Sequence, residues 1–555
     1  MTNDWTRRRA ICAVSQYMKI RLGKKTDIRE IEDIIDILHK NHPAFSGTKE
    51  QLMYELLSTF EDKCSIAVMK SVLNPLAIKE ITDNMDALNQ ALYWVEKSEL
   101  PNTTSQIVTE ISEARYNQCI SLLTDYAYPY SVICSGYISY SRDRLIARVD
   151  NDTVTFDFPE DHNNSAWSDI LREASQSTLG SFMDKINPVK IAKANAELQK
   201  VIHIEDGCLC YKLTNEIIEP FLEIANEQWN STKTLPDSWK FDLFTLDDYR
   251  RAWTYIAALC YIHFFGCITI KDPIIRLRNS TIILPISRII DSIASLSGLE
   301  KGKVESIVKY ITFEPSRCNV DIMYQPIVIL SNKMAIISPM LFMGSRPERN
   351  LLAVVSSKKD SEHSKEVNDL EDLMVQEIEE VIPCTGTLKT AKHKKLGGRL
   401  PDVDFGLLDT VSNAALLCEL KWFAAADSSK EVYAREDEIT HGCEQSESIM
   451  AYAMSDRKRF IKQVFDIDDG DNIDLFCCVV ARHNIRTQHK YVPVIDLKKF
   501  KELFLSQPIN SVFHTIRNHE YEEPLPEDAS ITHQEIKYGD FTFRIPAICF
   551  ESMPL

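Results

Sequence analysis

Residues 396–423 read LGGRLPDVDFGLLDTVSNAALLCELKWF, two apolar runs joined by the turn-forming segment DTVSN. The first run begins with Asp402 and Asp404, which are two positions apart and therefore point to the same face of a β-strand. The second run is apolar enough to be buried on both faces of a sheet, and it ends in Glu419 and Lys421, which also share one face. Because an unpaired buried charge is costly, this pattern indicates a functional site rather than ordinary core.

Phosphodiester hydrolysis is a reaction for which these groups are suited. Carboxylates from two adjacent strands can hold Mg²⁺, a cation that prefers oxygen ligands and keeps several waters. The metal polarises a phosphoryl oxygen and lowers the pKa of a bound water. The ammonium of Lys421 can orient the attacking water and balance the developing charge. Glu419 and Asp404 are the favoured ligands because Asp404 lies deeper in its strand, and Asp402 is kept as the alternative ligand.

The segments L-P-D-V-D-F and L-L-C-E-L-K-W resemble the PD-(D/E)xK nuclease superfamily, and the resemblance extends over residues 364–510. It implies a restriction-endonuclease-like α/β domain with a central mixed sheet. It also implies a metal-dependent endonuclease that leaves 5′-phosphate ends, with Mg²⁺ as cofactor, Mn²⁺ as its substitute and DNA as the expected partner. Because many members are restriction or phage-defence nucleases, the family relationship points to a bacterial antiviral-defence or restriction effector.

Two flanking helices add to the resemblance. Family members place a glutamate on a helix before the first catalytic strand, and here residues 367–382 put Glu371 near the centre of an apolar stripe, with Glu377 as the reserve candidate. The helix after the second strand often carries a glutamine, which Gln445 matches. The simpler alternatives stay open: a rim carboxylate paired with a lysine for Glu371 and a polar surface residue for Gln445. We expect His441 to bond locally.

An acidic residue two positions before a lysine is not specific, since a chain of this length contains about two such E-x-K triplets by chance. Residues 61–63 (EDK) lie in a predicted helix. Residues 496–498 (DLK) follow the apolar VPVI, but no aspartate strand precedes them and the helical KKFKELF follows directly. We therefore interpret residues 496–498 as a strand-to-helix junction.

The segment before the first catalytic strand is basic. Residues 385–399, TGTLKTAKHKKLGGR, contain no acidic residue. We predict a strand at 386–389 followed by a basic loop that borders the site and contacts phosphates without reading sequence. Gly397 and Gly398 would let the main chain approach a phosphate closely. The predicted phosphate-binding side chains are Lys389, Lys392, Lys394, Lys395 and Arg399. Two other basic groups occur at 457–459 and 482–490, and for the second we favour a solvated face.

The remainder of the chain predicts a multidomain protein, because 555 residues exceed one hydrophobic core and favour two to four domains. Residues 166–202 are one example of predicted helix, with breaks, and hairpins are predicted at 145–158 and 327–338. The polar SSKKDSEHSK at 356–365 is the predicted linker. The predicted units are a mostly helical region of one or two subdomains at 1–355, the α/β domain at 356–510 and a strand-rich extension at 511–555.

Composition sets wider limits. The content of 44% hydrophobic and 26% charged residues is typical of a globular protein, and residues 1–20 lack the features of a secretory signal. Residues 252–270 predict a buried helix followed by a short strand, in preference to a membrane span. Fifteen scattered cysteines indicate reduced thiols and a cytoplasmic protein. Cys208 and Cys210 lack a matching Cys/His pair at zinc-site spacing, so no structural zinc is expected.

Three functional hypotheses follow. The first is a Mg²⁺-dependent DNA nuclease, and the second is an RNA-cleaving enzyme with the same site. The third is a nucleic-acid-binding or assembly protein whose nuclease fold has lost activity. The net charge of −18 does not exclude nucleic acid, since a basic groove can lie on an acidic body. The N-terminal region has no P-loop, and a sensor, specificity or partner-docking role is expected only by analogy. A homo-oligomer and a separate defence partner both remain open.

Overall fold

The computed structural model describes residues 27–71, 77–102, 107–159, 188–314, 321–357, 363–426, 428–468, 470–485, 487, 489, 491–522 and 527–550. The protein is mixed α/β, with helices concentrated in the first two thirds and a five-stranded mixed sheet in the last third. The predicted helical stretch at 166–202 is described from Pro188 onward, and its earlier part lies outside the described residues.

Helices dominate the described part of residues 27–357. They are α1 (Ile28–Ile35), α2 (Lys49–Ser71), α3 (Ala77–Lys97), α4 (Glu113–Ser121), α5 (Tyr128–Ser141), α6 (Pro188–Val201), α7 (Asn215–Thr232), α8 (Leu246–Cys267), α9 (Pro273–Arg278), α10 (Ile286–Ser297), α11 (Lys301–Tyr310), α12 (Pro339–Met343) and α13 (Pro347–Ser357). A 3₁₀ turn at Leu38–Asn41 and a π-helix at Leu122–Ala127 interrupt this series.

Short strands accompany these helices. They are β1 (Ile146–Asp150), β2 (Thr153–Asp157), β3 (His203–Glu205), β4 (Cys208–Cys210), β5 (Lys240–Phe241), β6 (Phe244–Thr245), β7 (Ile282–Pro285), β8 (Ile327–Ile329) and β9 (Met334–Ile337). Strands β1 and β2 pair antiparallel, as do β8 and β9. The hairpins predicted at 145–158 and 327–338 are therefore confirmed.

Helix α8 forms the centre of the N-terminal core. It begins at a capping box, in which the Thr245 side chain and Asp248 exchange hydrogen bonds, and its buried side chains include Trp253. The buried helix predicted at 252–270 is confirmed, but the short strand after it is wrong: the chain turns there and α9 begins at Pro273. None of the described helices is long and apolar enough to cross a membrane.

The last third contains the sheet that carries the site. Its strands are β10 (Leu388–Lys394), β11 (Val403–Asp409), β12 (Ala414–Lys421), β13 (Asp474–Ala481) and β14 (Val494–Asp496), in that spatial order. Strand β11 is antiparallel to both of its neighbours, β10 and β12, whereas β12, β13 and β14 run parallel. The predicted mixed α/β sheet is confirmed. The strand predicted at 386–389 is confirmed at residues 388 and 389, but the predicted basic loop is wrong for residues 390–394, which continue the edge strand β10.

Helices cover both faces of this sheet and bury its central strand. They are α14 (His363–Glu379), α15 (Ser429–Ser455), α16 (Arg457–Phe465), α17 (Leu497–Ser506) and α18 (Ile509–Arg517). Leu416, Cys418 and Leu420 of β12 pack in a core with α14 and α17, and the alternating Ala415 and Leu417 pack in a core with α15 and α16. The apolar run of β12 is therefore buried on both faces, as its composition predicts.

The α/β unit is joined to the rest of the chain at both ends. Helix α13 ends at Ser357 and α14 begins at His363, and residues 358–362 of the predicted linker lie outside the described residues. Leu370 of α14 packs in the N-terminal core. Two long C-terminal strands, β15 (Ala529–Tyr538) and β16 (Phe541–Phe550), form a hairpin whose second strand pairs parallel with β2. The strand-rich stretch within 511–555 thus completes a sheet of the N-terminal region.

Candidate active site

Asp404 and Glu419 meet across the β11–β12 ladder. The antiparallel register pairs Phe405 with Cys418, and extending it by one residue places Asp404 opposite Glu419. Asp404 Oδ2 accepts a hydrogen bond of 2.8 Å from the backbone N–H of Leu420. This bond fixes the carboxylate of Asp404 against β12, so the two strands deliver their acidic side chains to one place.

Lys421 links the acidic pair to helix α15. Its Nζ donates to Glu419 Oε1 at 2.7 Å and to Gln445 Oε1 at 2.9 Å. The Glu419 side chain is only 4% exposed, and its second oxygen, Oε2, is buried without a hydrogen-bond partner. A buried carboxylate oxygen with no donor is costly, and it is the kind of atom that a bound cation would satisfy.

The carboxylates of Glu371, Asp404 and Glu419 lie near enough to one another and to Lys421 for their charges to interact. Burial, and then the nearby charge of Asp404, raise the pKa of Glu371 to about 7. Burial and Asp404 likewise raise the pKa of Glu419 to about 7. Burial also raises the pKa of Asp404, although the Leu420 amide and the charge of Lys421 oppose the shift. Such mutual repulsion is relieved when a cation binds between the carboxylates.

Gly442 allows helix α15 to lie directly on the site. A Cβ at this position would stand 2.8 Å from Cε of Lys421 and 3.4 Å from Cγ of Glu419. A larger residue would therefore displace the lysine. The sequence prediction did not include Gly442, although a glycine in a helix interior costs about 1 kcal/mol relative to alanine and so signals close packing.

His393 is a second residue that the sequence prediction missed. It has a left-handed backbone conformation (φ 44°) and lies between the β10–β11 pairs Lys392–Phe405 and Lys394–Val403, which places it opposite Asp404. Its Nε2 lies 2.7 Å from Oδ1 of Asp372. A positive φ outside glycine is uncommon and is often found at functional sites.

The remaining acidic candidates separate clearly. Asp402 is exposed and precedes β11, yet its charge contributes to the raised pKa of Asp404, so it lies at the rim of the site. Glu377, the reserve candidate, instead pairs with Arg482 and with Lys501 at 3.1 Å. Burial raises the pKa of Glu377, but these two cations outweigh it and leave the pKa below its usual value. The structure therefore brings Glu371 to the site and keeps Glu377 away from it.

Polar residues around the site have mixed outcomes. His441 is exposed and lies 3.5 Å from Glu444, one turn along its own helix, as predicted. The solvated face predicted for residues 482–490 is wrong at Arg482, which is largely buried, pairs with Glu377 and donates its backbone N–H to the Lys421 carbonyl. Residues 486, 488 and 490 lie outside the described part of the chain.

The five predicted phosphate-binding residues are exposed but do not form one cluster. Lys392 points toward α14, where its Nζ lies 2.6 Å from Glu379. Lys394 pairs with Val403 beside the two aspartates, whereas Lys389 lies about 16 Å further along the edge strand. Lysines on an edge strand also discourage pairing with another sheet. Of the five, Lys394 is the residue whose backbone pairs beside the two aspartates, and Lys395 and Arg399 follow it in the chain.

Helix α15 is fixed to the N-terminal region by arginines. Arg142 pairs with Asp437 at 3.0 Å, Arg144 pairs with Glu436, and Arg349 pairs with Glu431. These three acidic residues occupy the first half of α15, and Gly442 and Gln445 follow in the next turns. The N-terminal region therefore contributes to the position of the helix that holds Lys421.

Searches against protein-family models, curated proteins and solved structures found no significant match for this chain.

Proposed function

We propose that the α/β unit is a Mg²⁺-dependent nuclease of the PD-(D/E)xK type that hydrolyses phosphodiester bonds of DNA, acting as a bacterial antiviral-defence or restriction effector. The observation that carries the proposal is the buried, unpartnered Oε2 of Glu419. It lies among carboxylates whose pKa values are raised by burial and by one another, and a single lysine neighbours them.

These residues fit a hard divalent cation. Asp404 and Glu419 would hold Mg²⁺, with Glu371 and the rim residue Asp402 available to its waters, and all four supply the oxygen atoms that Mg²⁺ prefers. The imidazole of His393 also lies opposite Asp404, but its Nε2 is paired with Asp372 at 2.7 Å. When bound, the cation supplies charge neutralisation at the phosphoryl oxygen and a more acidic water.

The protein side chains supply orientation. Lys421 Nζ is fixed by Glu419 and Gln445, so it presents its remaining proton to an attacking water or to a phosphoryl oxygen. Glu371, a carboxylate beside Asp404 and Lys421, can accept a proton from that water. Gln445 has no charge to contribute and serves to hold the ammonium in place.

The surface next to the acidic group would bind the nucleic-acid backbone. Lys394, Lys395 and Arg399 are exposed at the end of β10 that pairs with the first catalytic strand. Contacts from these side chains to phosphates would position a strand over Lys421 without selecting a base sequence. DNA is the proposed substrate, and RNA belongs in the test because the catalytic groups act on the phosphate.

The test is cleavage of plasmid, linear and single-stranded DNA and of RNA, with Mg²⁺ or with EDTA, by the full chain. Lys421→Ala should abolish cleavage, whereas Lys498→Ala, which removes the lysine of the second acidic-Leu-Lys triplet, should leave it unchanged. Preferential cleavage of RNA would replace DNA as the substrate. Cleavage that survives Lys421→Ala, or that proceeds in EDTA, would refute the proposed site.

A measurement of Mn²⁺ binding distinguishes a metal site that does not cleave nucleic acid from the absence of a metal site. Mn²⁺ titrated into the full wild-type chain should bind to a single class of sites. This binding should be absent in Asp404→Ala. Metal binding without cleavage of any substrate would favour the non-catalytic nucleic-acid-binding hypothesis. The absence of both would overturn the metal site.

A further inference from the structure

The hairpin formed by β3 and β4 gathers metal-binding side chains far from the acidic group described above. Its register pairs His203 with Cys210 and Glu205 with Cys208. Because side chains alternate along a strand, these four residues project from one face of the hairpin and the intervening Ile204 and Leu209 from the other. Ligand atoms of His203, Glu205 and Cys210 all lie within 4.8 Å of one another.

The imidazole of His203 is oriented for coordination. Its Nδ1 lies 3.3 Å from the backbone carbonyl of Val201, and a carbonyl can only accept, so Nδ1 carries the proton. The lone pair is then on Nε2, which lies 3.8 Å from Oε2 of Glu205. Metal-binding histidines usually donate their second ring N–H to a carbonyl or carboxylate in this way.

The hairpin itself is held in a defined geometry. Asp206 and Gly207 both have positive φ, 50° and 74°, as a two-residue type I′ turn requires. Asn279 attaches the hairpin to the end of α9: its Oδ1 accepts from Leu209 N–H at 2.8 Å, and its Nδ2 donates to the Gly207 carbonyl at 2.9 Å. The side chains on the outer face are therefore presented from a fixed backbone.

The exposure of the two thiols is a separate observation. Free cysteine is among the most buried residue types, and most described cysteines of this chain follow that rule. Cys208 is exposed and Cys210 is half-buried, although they are only two residues apart. Such a pair opposite a histidine and a glutamate is what a metal site requires.

We propose that His203, Glu205 and Cys210 bind a borderline divalent transition metal of the Zn²⁺ class, with Cys208 as the fourth ligand. A set of two thiolates, an imidazole and a carboxylate suits Zn²⁺ and excludes Mg²⁺ and Ca²⁺. Ligand atoms around tetrahedral Zn²⁺ are about 3.3 to 3.8 Å apart, so small rotations bring His203, Glu205 and Cys210 to that spacing. Cys208 Sγ lies 3.9 Å from Nη2 of Arg278 and would leave that contact to become the fourth ligand.

The site would act as a structural brace. Four protein ligands leave no open position for substrate, which is the character of structural zinc. Strands of three residues are marginal alone, so a metal across them would stabilise the hairpin. This proposal differs from the sequence expectation of no zinc, because the partners of the two cysteines come from the opposite strand, at the spacing H-x-E-x₂-C-x-C.

The test titrates Co²⁺ into the reduced full chain carrying Asp404→Ala and Glu419→Ala, so that the acidic group cannot contribute. One Co²⁺ per chain should bind, with thiolate-to-cobalt charge-transfer absorption and tetrahedral d–d bands, and one equivalent of Zn²⁺ should displace it. Cys210→Ser and His203→Ala should weaken binding at least about 100-fold. Cys384→Ser, which removes an exposed cysteine elsewhere, should leave the spectrum and the affinity unchanged.

Cys208→Ser tests whether Cys208 is the fourth ligand. Loss of part of the charge-transfer band would show that it is, and an unchanged band would overturn its assignment. No charge-transfer band in the parent protein, or a band that survives Cys210→Ser, would overturn the site. Far-ultraviolet circular dichroism of each variant separates lost binding from lost folding. The result is independent of nuclease activity, since the acidic group is removed throughout.

Discussion

Strands β12 and β14 of the same sheet each reach an acidic residue that is followed by a leucine and a lysine. In β12 all three residues belong to the strand, whereas β14 ends at Asp496 and the leucine and lysine begin α17. The contacts at the two endings differ. Glu419 is buried with one oxygen unpartnered, and Lys421, 18% exposed, is held by two hydrogen bonds. Asp496 instead accepts from Lys499 N–H at 3.0 Å and caps α17, while Lys498 is 85% exposed. The junction predicted at residues 496–498 is confirmed.

Neighbouring elements account for this difference. β12 has β11 beside it, which supplies Asp404, and α15 above it, which supplies Gly442 and Gln445. β14 is at the edge of the sheet and passes directly into a helix, so its aspartate is used by the helix N-terminus. The same three-residue pattern is therefore part of the proposed active site at residues 419–421 and a helix cap at residues 496–498, because the neighbouring strands and helices differ.

The largest expected effect is on metal binding, and it compares Glu419 at the end of β12 with Asp496 at the end of β14. Glu419→Gln should weaken Mn²⁺ binding by at least about 100-fold, because it removes a carboxylate that would ligate the cation. Asp496→Asn, the matched change at the other ending, should leave Mn²⁺ affinity unchanged. Calorimetric titration of both variants measures this, and equal losses in the two would contradict the comparison.

The next effect concerns the close approach of α15. Gly442→Ala should lower the cleavage rate by about 10- to 100-fold, because the new Cβ pushes Lys421 out of position and a displacement near 1 Å can cost that much. Gly386→Ala is the control, since a Cβ there meets no atom within 4 Å. A Gly442→Ala enzyme with full activity would show that the position of Lys421 is unimportant.

The third effect concerns the E-x-K triplet at residues 61–63, which lies inside helix α2. Burial raises the pKa of Glu61 to about 8, against the hydrogen bonds it accepts from Ser338 and from Met340 N–H at 2.8 Å. The pKa of Glu61 in the folded protein lies above its ordinary value. The contribution of Glu61 to the free energy of unfolding is therefore fully present at low pH, and it is lost as pH rises through the folded pKa.

Glu61→Gln cannot ionise and keeps an acceptor oxygen. The gain in unfolding free energy over the wild type should therefore grow from near zero at pH 4 to about 4 kcal/mol near pH 8. Urea unfolding at several pH values measures it. A gain that is independent of pH would mean that the carboxyl of Glu61 does not titrate on unfolding.

The smallest effect concerns the helix cap. Asp496→Ala should cost about 1 kcal/mol of stability through the lost cap of α17, while cleavage and Mn²⁺ affinity remain at wild-type values. Asp496→Asn retains a capping side chain and should restore most of the stability. A loss of cleavage in Asp496→Ala under conditions where the protein is folded would assign this ending a role at the site.

The sequence predicted the central strands and helices well, because their apolar runs have the length and period of buried elements. It failed at β10, where only Ala391 among the residues from Lys389 to Lys394 is buried, so an exposed edge strand has the polar composition of a loop. The helical phase of residues 367–382 distinguished Glu371 from Glu377, and Glu371 is the one of the two that lies near Asp404 and Lys421.

Residues brought in by tertiary contact were not predictable in the same way. His393 reaches the acidic group through a left-handed residue in an edge strand, and Gly442 acts through the space it leaves for Lys421. Neither property is encoded in spacing along the chain. The histidine and glutamate opposite Cys208 and Cys210 depend on hairpin register, which becomes clear only when Asp206 and Gly207 are seen to form the turn.

The parallel pairing of β16 with β2 has a consequence for biosynthesis. Thr153 of β2 pairs with Thr542 of β16. During translation β2 is therefore synthesised long before the strand that covers its edge. Ribosomes add about 5 to 20 residues per second, and the nascent chain therefore spends on the order of tens of seconds with that edge open. Contacts of such high sequence separation form late and slowly. An N-terminal fragment that stops before residue 529 should consequently aggregate through β2, whereas in the intact chain β16 covers that edge.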